Sequence, residues 1–284
     1  MTLQYLGTGA AEGNPGMFCY CPVCEKTRVR GGRNIRTRSQ ALVFAGQHGE
    51  GSHDQRLLID LTPDTYFHYL THDVELNKIG HMLITHSHND HFLPSELKYR
   101  GGVYTNTPAP FKMHIYSNEK VVDMCQDFIA GAIHGTQEQY ELHVVQNFET
   151  FAAGEFTVTA LPALHDRRER CLNFIIEHGG KRILYGNDTG IFTQDVWDYI
   201  AGTKFDLVSL DCTFGTRPDG GNHMGMPDIL EVKNRLELLD SVAEGGRIVL
   251  NHFSHNGGAC YDDMVEVATP YGIEVSYDGG VWAV

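Results

Sequence analysis

Short apolar runs, rich in β-branched and aromatic residues and closed by turn-forming residues, recur along the chain. They predict strands at Leu3–Leu6, Ala41–Phe44, Leu57–Asp60, His81–Thr85, Lys112–Tyr116, Phe156–Leu161, Leu172–Glu177, Arg182–Tyr185, Asp206–Leu210, Arg247–Leu250 and Ile273–Tyr277. Between them, apolar residues at helical spacing predict helices over Glu119–Ile133, Thr193–Ala201, Pro227–Ala243 and Tyr261–Tyr271. Leu172–Tyr185 reads as a hairpin turning at His178-Gly179-Gly180. The first half is mostly strand and the second alternates strand with helix. That order fits an α/β fold, an αββα sandwich of two mixed sheets flanked by helices.

Composition narrows the picture. The 284 residues suit one large layered domain spanning 1–284, and 42% hydrophobic with 20% charged residues is ordinary for a globular protein. No apolar run approaches the roughly 20 residues that span a bilayer, and the N-terminus has no signal-peptide pattern. Seven scattered Cys suit a reducing compartment, so a cytoplasmic location is expected, with no membrane partner. A net charge of −14 argues against a long nucleic-acid footprint. The most unusual total is 16 His, a residue that titrates near neutrality and readily binds metals.

Three of these His follow the predicted strand His81–Thr85, in His86-Ser87-His88-Asn89-Asp90-His91. On extended chain, residues two apart face the same way, so His86 and His88 can reach one ion. Asp90 and His91, where the chain turns, can face a second. His-x-His-x-Asp-His resembles the signature of the metallo-β-lactamase superfamily. The resemblance implies three further ligands at later strand ends, and the chain offers His165, Asp188 and His252 in that order. It assigns His86, His88 and His165 to one metal, Asp90, His91 and His252 to the other, and Asp188 between them. Zinc, manganese or iron suits such donors. Asp60 matches the superfamily's early Asp, which orients ligands from behind, although Leu61-Thr62-Pro63 departs from the usual neighbours.

Cys19, Cys21 and Cys24 form a second cluster, an N-terminal knuckle over residues 19–24 that needs a fourth ligand to hold zinc. By sequence alone His255, Cys260, Cys125, Cys171 and Cys212 are all candidates. Cys-x-Cys-x-x-Cys together with His-x-x-His at the last catalytic ligand resembles the PhnP-type phosphodiesterases. That resemblance implies a structural zinc on Cys19, Cys21, Cys24 and His255. The segment Arg36-Thr37-Arg38 also looks like that group's; its Arg residues suit a phosphate or surface ion pairs.

His223, in Gly220–Met226 ahead of a predicted helix, matches the His by which such phosphodiesterases protonate the leaving oxygen, a task suited to a group titrating near working pH. His223 and Asp90 are therefore the expected catalytic residues. His53, His68, His72, His81, His114, His134, His143 and His178 lack comparable context and read as ordinary surface or core residues. The implied activity is hydrolysis of a small, even cyclic, phosphodiester by a hydroxide bridging two metals. The alternatives are a tRNA 3′-processing-type nuclease, a glyoxalase II-like thioesterase and a PqqB-like non-hydrolytic accessory protein. Only 22 residues separate His165 from Asp188, too few for a tRNA-gripping arm. A homodimer is the expected assembly.

Overall fold

The computed structural model describes residues 1–46, 51–131, 136–218 and 221–284. Strands β1 (Thr2–Gly7), β2 (Gln40–Phe44), β3 (Arg56–Ile59), β4 (His81–Leu83), β5 (Met113–Ser117), β6 (Tyr140–Val144) and the C-terminal β14 (Val281–Ala283) build one sheet, in the order β14-β1-β2-β3-β4-β5-β6. A second sheet follows the order β13-β12-β11-β10-β9-β8-β7. It comprises β7 (Thr150–Ala153), β8 (Phe156–Pro162), β9 (Leu172–His178), β10 (Lys181–Gly186), β11 (Phe205–Asp211), β12 (Val242–Asn251) and β13 (Ile273–Val275). Both sheets are mixed in the same way. Antiparallel pairing on one side gives way to parallel pairing from β3 to β6 and from β10 to β13.

Alternation along the strands creates three apolar layers. Leu3, Tyr5, Val43, Ile59 and Leu83 of the first sheet meet Val158, Phe174, Ile176, Ile183 and Leu207 of the second, all buried, to form the central layer. The Tyr5 hydroxyl crosses it to donate to Ser209 Oγ at 2.7 Å, which satisfies a phenol with no access to water. Outside, Leu42, Leu58, Ile84 and Ile115 pack with Val121, Cys125 and Ile129 of α3 (Glu119–Ala130). On the far face, Leu184, Val208 and Leu250 pack with α4 (Gln194–Ile200), α5 (Met226–Leu238) and α6 (Tyr261–Ala268). The arrangement is the expected αββα sandwich.

The predicted elements recur with shifted ends, and some were missed. The helix expected over Pro227–Ala243 stops at Leu238, and Asp240, at φ 52°, turns the chain into β12, which already begins at Val242. The helix expected over Tyr261–Tyr271 is α-helical to Ala268 and closes in a 3₁₀ turn. The end of the helix expected over Glu119–Ile133 lies outside the described residues. Between β9 and β10 the loop is only Gly179-Gly180, both at positive φ as a two-residue hairpin requires. β6, β7 and β14 are short and partly exposed, so they lack a clear alternating pattern. Helices α1 (Pro22–Arg30) and α2 (Thr65–Thr71) were also missed.

Candidate metal centre

The carboxyl ends of β3, β4, β8, β10, β11 and β12 converge at one edge of the sandwich, the edge where ligands bind in sheets of this kind. The chain turns sharply there. Asp60 after β3, Asp188 after β10 and His252 after β12 all adopt left-handed backbone, at φ 68°, 55° and 60°. Non-glycine residues rarely accept that conformation, and such strain concentrates at functional sites.

His86, His88, His165 and Asp188 form one donor group, and Asp90, His91 and His252 form another, with the donor atoms of each group within 4.8 Å of one another. Asp188 joins them: its Oδ2 lies 3.2 Å from His86 Nε2 and 3.1 Å from His91 Nε2. His88 Nδ1 faces His165 Nε2 at 3.1 Å, and His91 Nε2 faces His252 Nε2 at 3.1 Å. Ring nitrogens turned toward each other suit a shared cation between them. His86 Nε2 and Asp188 Oδ1 are buried and make no hydrogen bond, which a native structure leaves only where something else satisfies them. The residues present therefore fit a pair of divalent ions.

The outward-facing ring atoms are tied down. Asp60 accepts from His91 Nδ1 at 2.7 Å and from the Thr85 backbone N–H and hydroxyl at 2.8 and 3.0 Å. Thr213 Oγ1 lies 2.8 Å from His252 Nδ1, and Asp166 Oδ2 lies 3.0 Å from His88 Nε2. Glu169 accepts from the Ser87 backbone and hydroxyl at 3.0 and 2.6 Å, pinning the His-rich loop to the segment after His165. Partners of this sort fix tautomer and ring direction.

Electrostatics favour positive charge at the same place. Burial opposes ionisation of Asp188, but His252, His91 and His86 outweigh it and hold the carboxyl well below the usual range. Burial likewise opposes protonation of His91, yet Asp90, Asp60 and Asp188 raise its pKa well above the usual histidine value. A cation, proton or metal, is what these carboxylates call for. Burial, reinforced by neighbouring His91, keeps the His86 ring neutral, and burial lowers His165 too, so both present lone pairs at neutral pH.

His223 joins the cluster from the loop before α5. Its Nδ1 lies 3.1 Å from Asp188 Oδ1 and 3.2 Å from Asp211 Oδ2. The loop is seated by a close approach at Gly190, where an added Cβ would fall 2.1 Å from the Gly221 carbonyl oxygen. Asp211, the last residue of β11, escaped the sequence reading. Its signal was present: like Asp60, it follows a buried apolar strand and precedes a turn with a Thr two residues on. Burial would raise its pKa, but His223 and His252 outweigh that and bring it to about 2.

The second cluster assembles around His255, whose loop also carries His252. Cys19, Cys21, Cys24 and His255 present their donor atoms within 4.8 Å of one another. His255 Nδ1 lies 3.6 Å from Cys19 Sγ and 3.3 Å from Cys21 Sγ, while its Nε2 is 3.4 Å from Glu12. Backbone N–H groups of Gly16 and Cys21 point at the sulfurs of Cys24 and Cys19. Burial works against the Cys21 thiolate, but hydrogen bonds from Cys24 and His255 prevail and bring it to about 6. The set fits a structural metal. The other candidates lie elsewhere: Cys125 is buried in α3, Cys212 in the outer core, Cys171 beside Asp166, and Cys260 on Asp263.

Neither Arg36 nor Arg38 is placed for a phosphate. Arg36 is buried over the Phe253 ring, donating to Thr8 and the Ser276 carbonyl at 2.7 and 2.9 Å. Arg38 pairs with both carboxylate oxygens of Asp64.

Two donor groups joined through Asp188 at the strand-end edge of an αββα sandwich define a metal-dependent hydrolase. The chain belongs to the metallo-β-lactamase superfamily, since residues 55–253 match the model of the β-lactamase superfamily domain. No curated protein matches it. Among solved structures it is similar to a diphosphatase from the PhnP family, at 22% identity and a TM-score of 0.74, covering 99% of this chain and 96% of that one. It is also similar to Zn(2+)-bound PqqB from Methylobacterium extorquens (19% identity, TM-score 0.73, all of both chains). Human tRNase Z, short form, aligns at 18% identity and a TM-score of 0.65 over 100% of this chain and 99% of that one. At these identities the likeness is one of fold. Among the described residues, no helix is long and apolar enough to cross a membrane.

Proposed function

We propose that the chain hydrolyses a small phosphodiester, using His86, His88, His165, Asp90, His91, His252 and Asp188 to hold two divalent ions and His223 as general acid. The observation that carries this reading is the seat of His223, against both Asp188 and Asp211 at the rim of the donor cluster. When bound, the ion pair supplies a water of lowered pKa and stabilises charge on the phosphoryl oxygens. Asp211 accepts from His223 Nδ1–H and steadies the imidazolium, so that Nε2 is the nitrogen presented to the leaving alkoxide. Proton donation from a positioned imidazole is worth about 10²–10⁴ in rate. Cys19, Cys21, Cys24 and His255 hold a structural zinc that braces the loop carrying His252.

A small substrate is favoured by the span from His165 to Asp188, taken up by a short loop and the β9–β10 hairpin. The acidic charge of −14 points the same way. A PqqB-like accessory role is disfavoured by the complete donor set. The deciding measurement is a hydrolysis panel: cyclic ribose phosphates, cyclic nucleotides, an aryl phosphodiester, a diphosphate, a thioester, a lactam and a precursor tRNA. Turnover of small phosphodiesters is expected; turnover of the thioester or the tRNA alone would overturn the reading.

A further inference from the structure

At the opposite end of the parallel strands lies a second group of imidazoles that the hydrolytic site does not use. His81 opens β4, and β4, β5 and β6 run side by side with His81 level with His114, His114 level with Glu141, and Tyr116 level with His143. His86 lies beyond the other end of β4, about 16 Å from His81 along extended chain. His114 Nδ1 faces His143 Nε2 at 3.0 Å, and Glu141 Oε1 lies 4.0 Å from that same His143 nitrogen. The donor atoms of His114, Glu141 and His143 all fall within 4.8 Å of one another.

We infer that His114, Glu141 and His143 form a further binding site for a divalent transition ion, separate from the catalytic pair and the thiolate cluster. Glu141 and His143, two residues apart on one strand, share a face, and His114 comes from the neighbouring strand, so the backbone sets the spacing. The rings are clamped rather than loose: His143 stacks on Tyr116 at 4.5 Å and His114 on His81 at 5.1 Å. The Tyr116 hydroxyl is itself anchored, 3.3 Å from His81 Nδ1 and donating to the Ala152 carbonyl at 3.3 Å. Partial burial, then His114, lower the pKa of His143, which favours the neutral ring that a metal needs. Two imidazoles and one carboxylate select a borderline ion such as Zn²⁺, Ni²⁺ or Cu²⁺ over Mg²⁺ or Ca²⁺. His114 and His143 are half-exposed and Glu141 exposed, so an ion can enter, and three protein donors leave a fourth position for water.

The test uses the full chain with its catalytic and thiolate sites filled, titrated with Zn²⁺ and followed by calorimetry and elemental analysis. The wild-type chain is expected to take up one more equivalent than the His114→Ala/His143→Ala variant, with hydrolytic turnover the same in both. Equal stoichiometry would overturn the proposal and leave only a hydrogen bond between the two rings. Should the double variant fail to fold, Glu141→Ala changes an exposed side chain and is expected to weaken the extra equivalent. In Zn²⁺-soaked wild-type crystals, anomalous scattering should peak among the three side chains; no peak there would reject the site.

Discussion

Asp211 Oδ2 lies 3.2 Å from His223 Nδ1, joining the last residue of β11 to a loop residue twelve positions on. Asp211 is fully buried and its other oxygen accepts from the Met224 backbone at 2.9 Å, so the carboxylate holds both the ring and the loop behind it. His223 is thus held against the donor cluster by the end of a buried strand.

From this contact, His223→Ala is expected to lower kcat by about 10²–10⁴ while the metal content stays normal. Asp211→Asn should retain the ions and lose about 10–100-fold, as partners of reactive groups commonly do. Steady-state kinetics alongside elemental analysis checks both. Wild-type turnover in His223→Ala would remove it from the mechanism.

Asp60 aims His91 and tethers Thr85. Asp60→Ala is expected to weaken metal binding by about 10–100-fold. Competition against a chelator of known affinity measures this; an unchanged affinity would show that the loop holds His91 unaided.

The thiolate cluster should behave as a structural element. Cys21→Ser is expected to lose one equivalent of metal and to melt more than about 5 °C lower, since losing a metal ranks among the large destabilising changes. The catalytic donors remain untouched, so activity per folded molecule at low temperature should persist. Unchanged metal content and melting would refute the assignment.

His68, away from both clusters, predicts a pH effect. It is buried, with Nδ1 2.6 Å from Gln40 Oε1 and Nε2 2.7 Å from Thr37 Oγ1, and burial drives its pKa down to about 4. Its pKa is depressed on folding, so the unfolded chain binds the proton more readily. The stabilisation is complete above about pH 6.5 and is lost as pH falls toward 4, amounting to about 3 kcal/mol. Denaturant titrations from pH 7 to 4 should show a shallower decline for His68→Gln than for the wild type. Parallel curves would exclude His68 as the source.

Local patterning was enough to read most of the strands, though not β6, β7 or β14, together with the hairpin turning on two glycines and the His86–His91 run, because each is written in neighbouring residues. Order along the chain, set beside a family signature, was enough to nominate His165, Asp188 and His252. The same reading left five residues open as partners for Cys19, Cys21 and Cys24. It passed over Asp211 and treated His114 and His143 as ordinary. A lone Asp or His carries no local mark of its role. That role depends on what lies across from it, and only the pairing of strands and the packing of the two sheets bring together residues dozens of positions apart. Positive φ at Asp60, Asp188 and His252 is likewise imposed by the packed strands around them, since local preference alone disfavours it. The sequence by itself determined the class of fold and the kind of chemistry. Tertiary structure decided which nitrogen faces which oxygen, because side-chain direction at a strand end is set by the neighbouring strands.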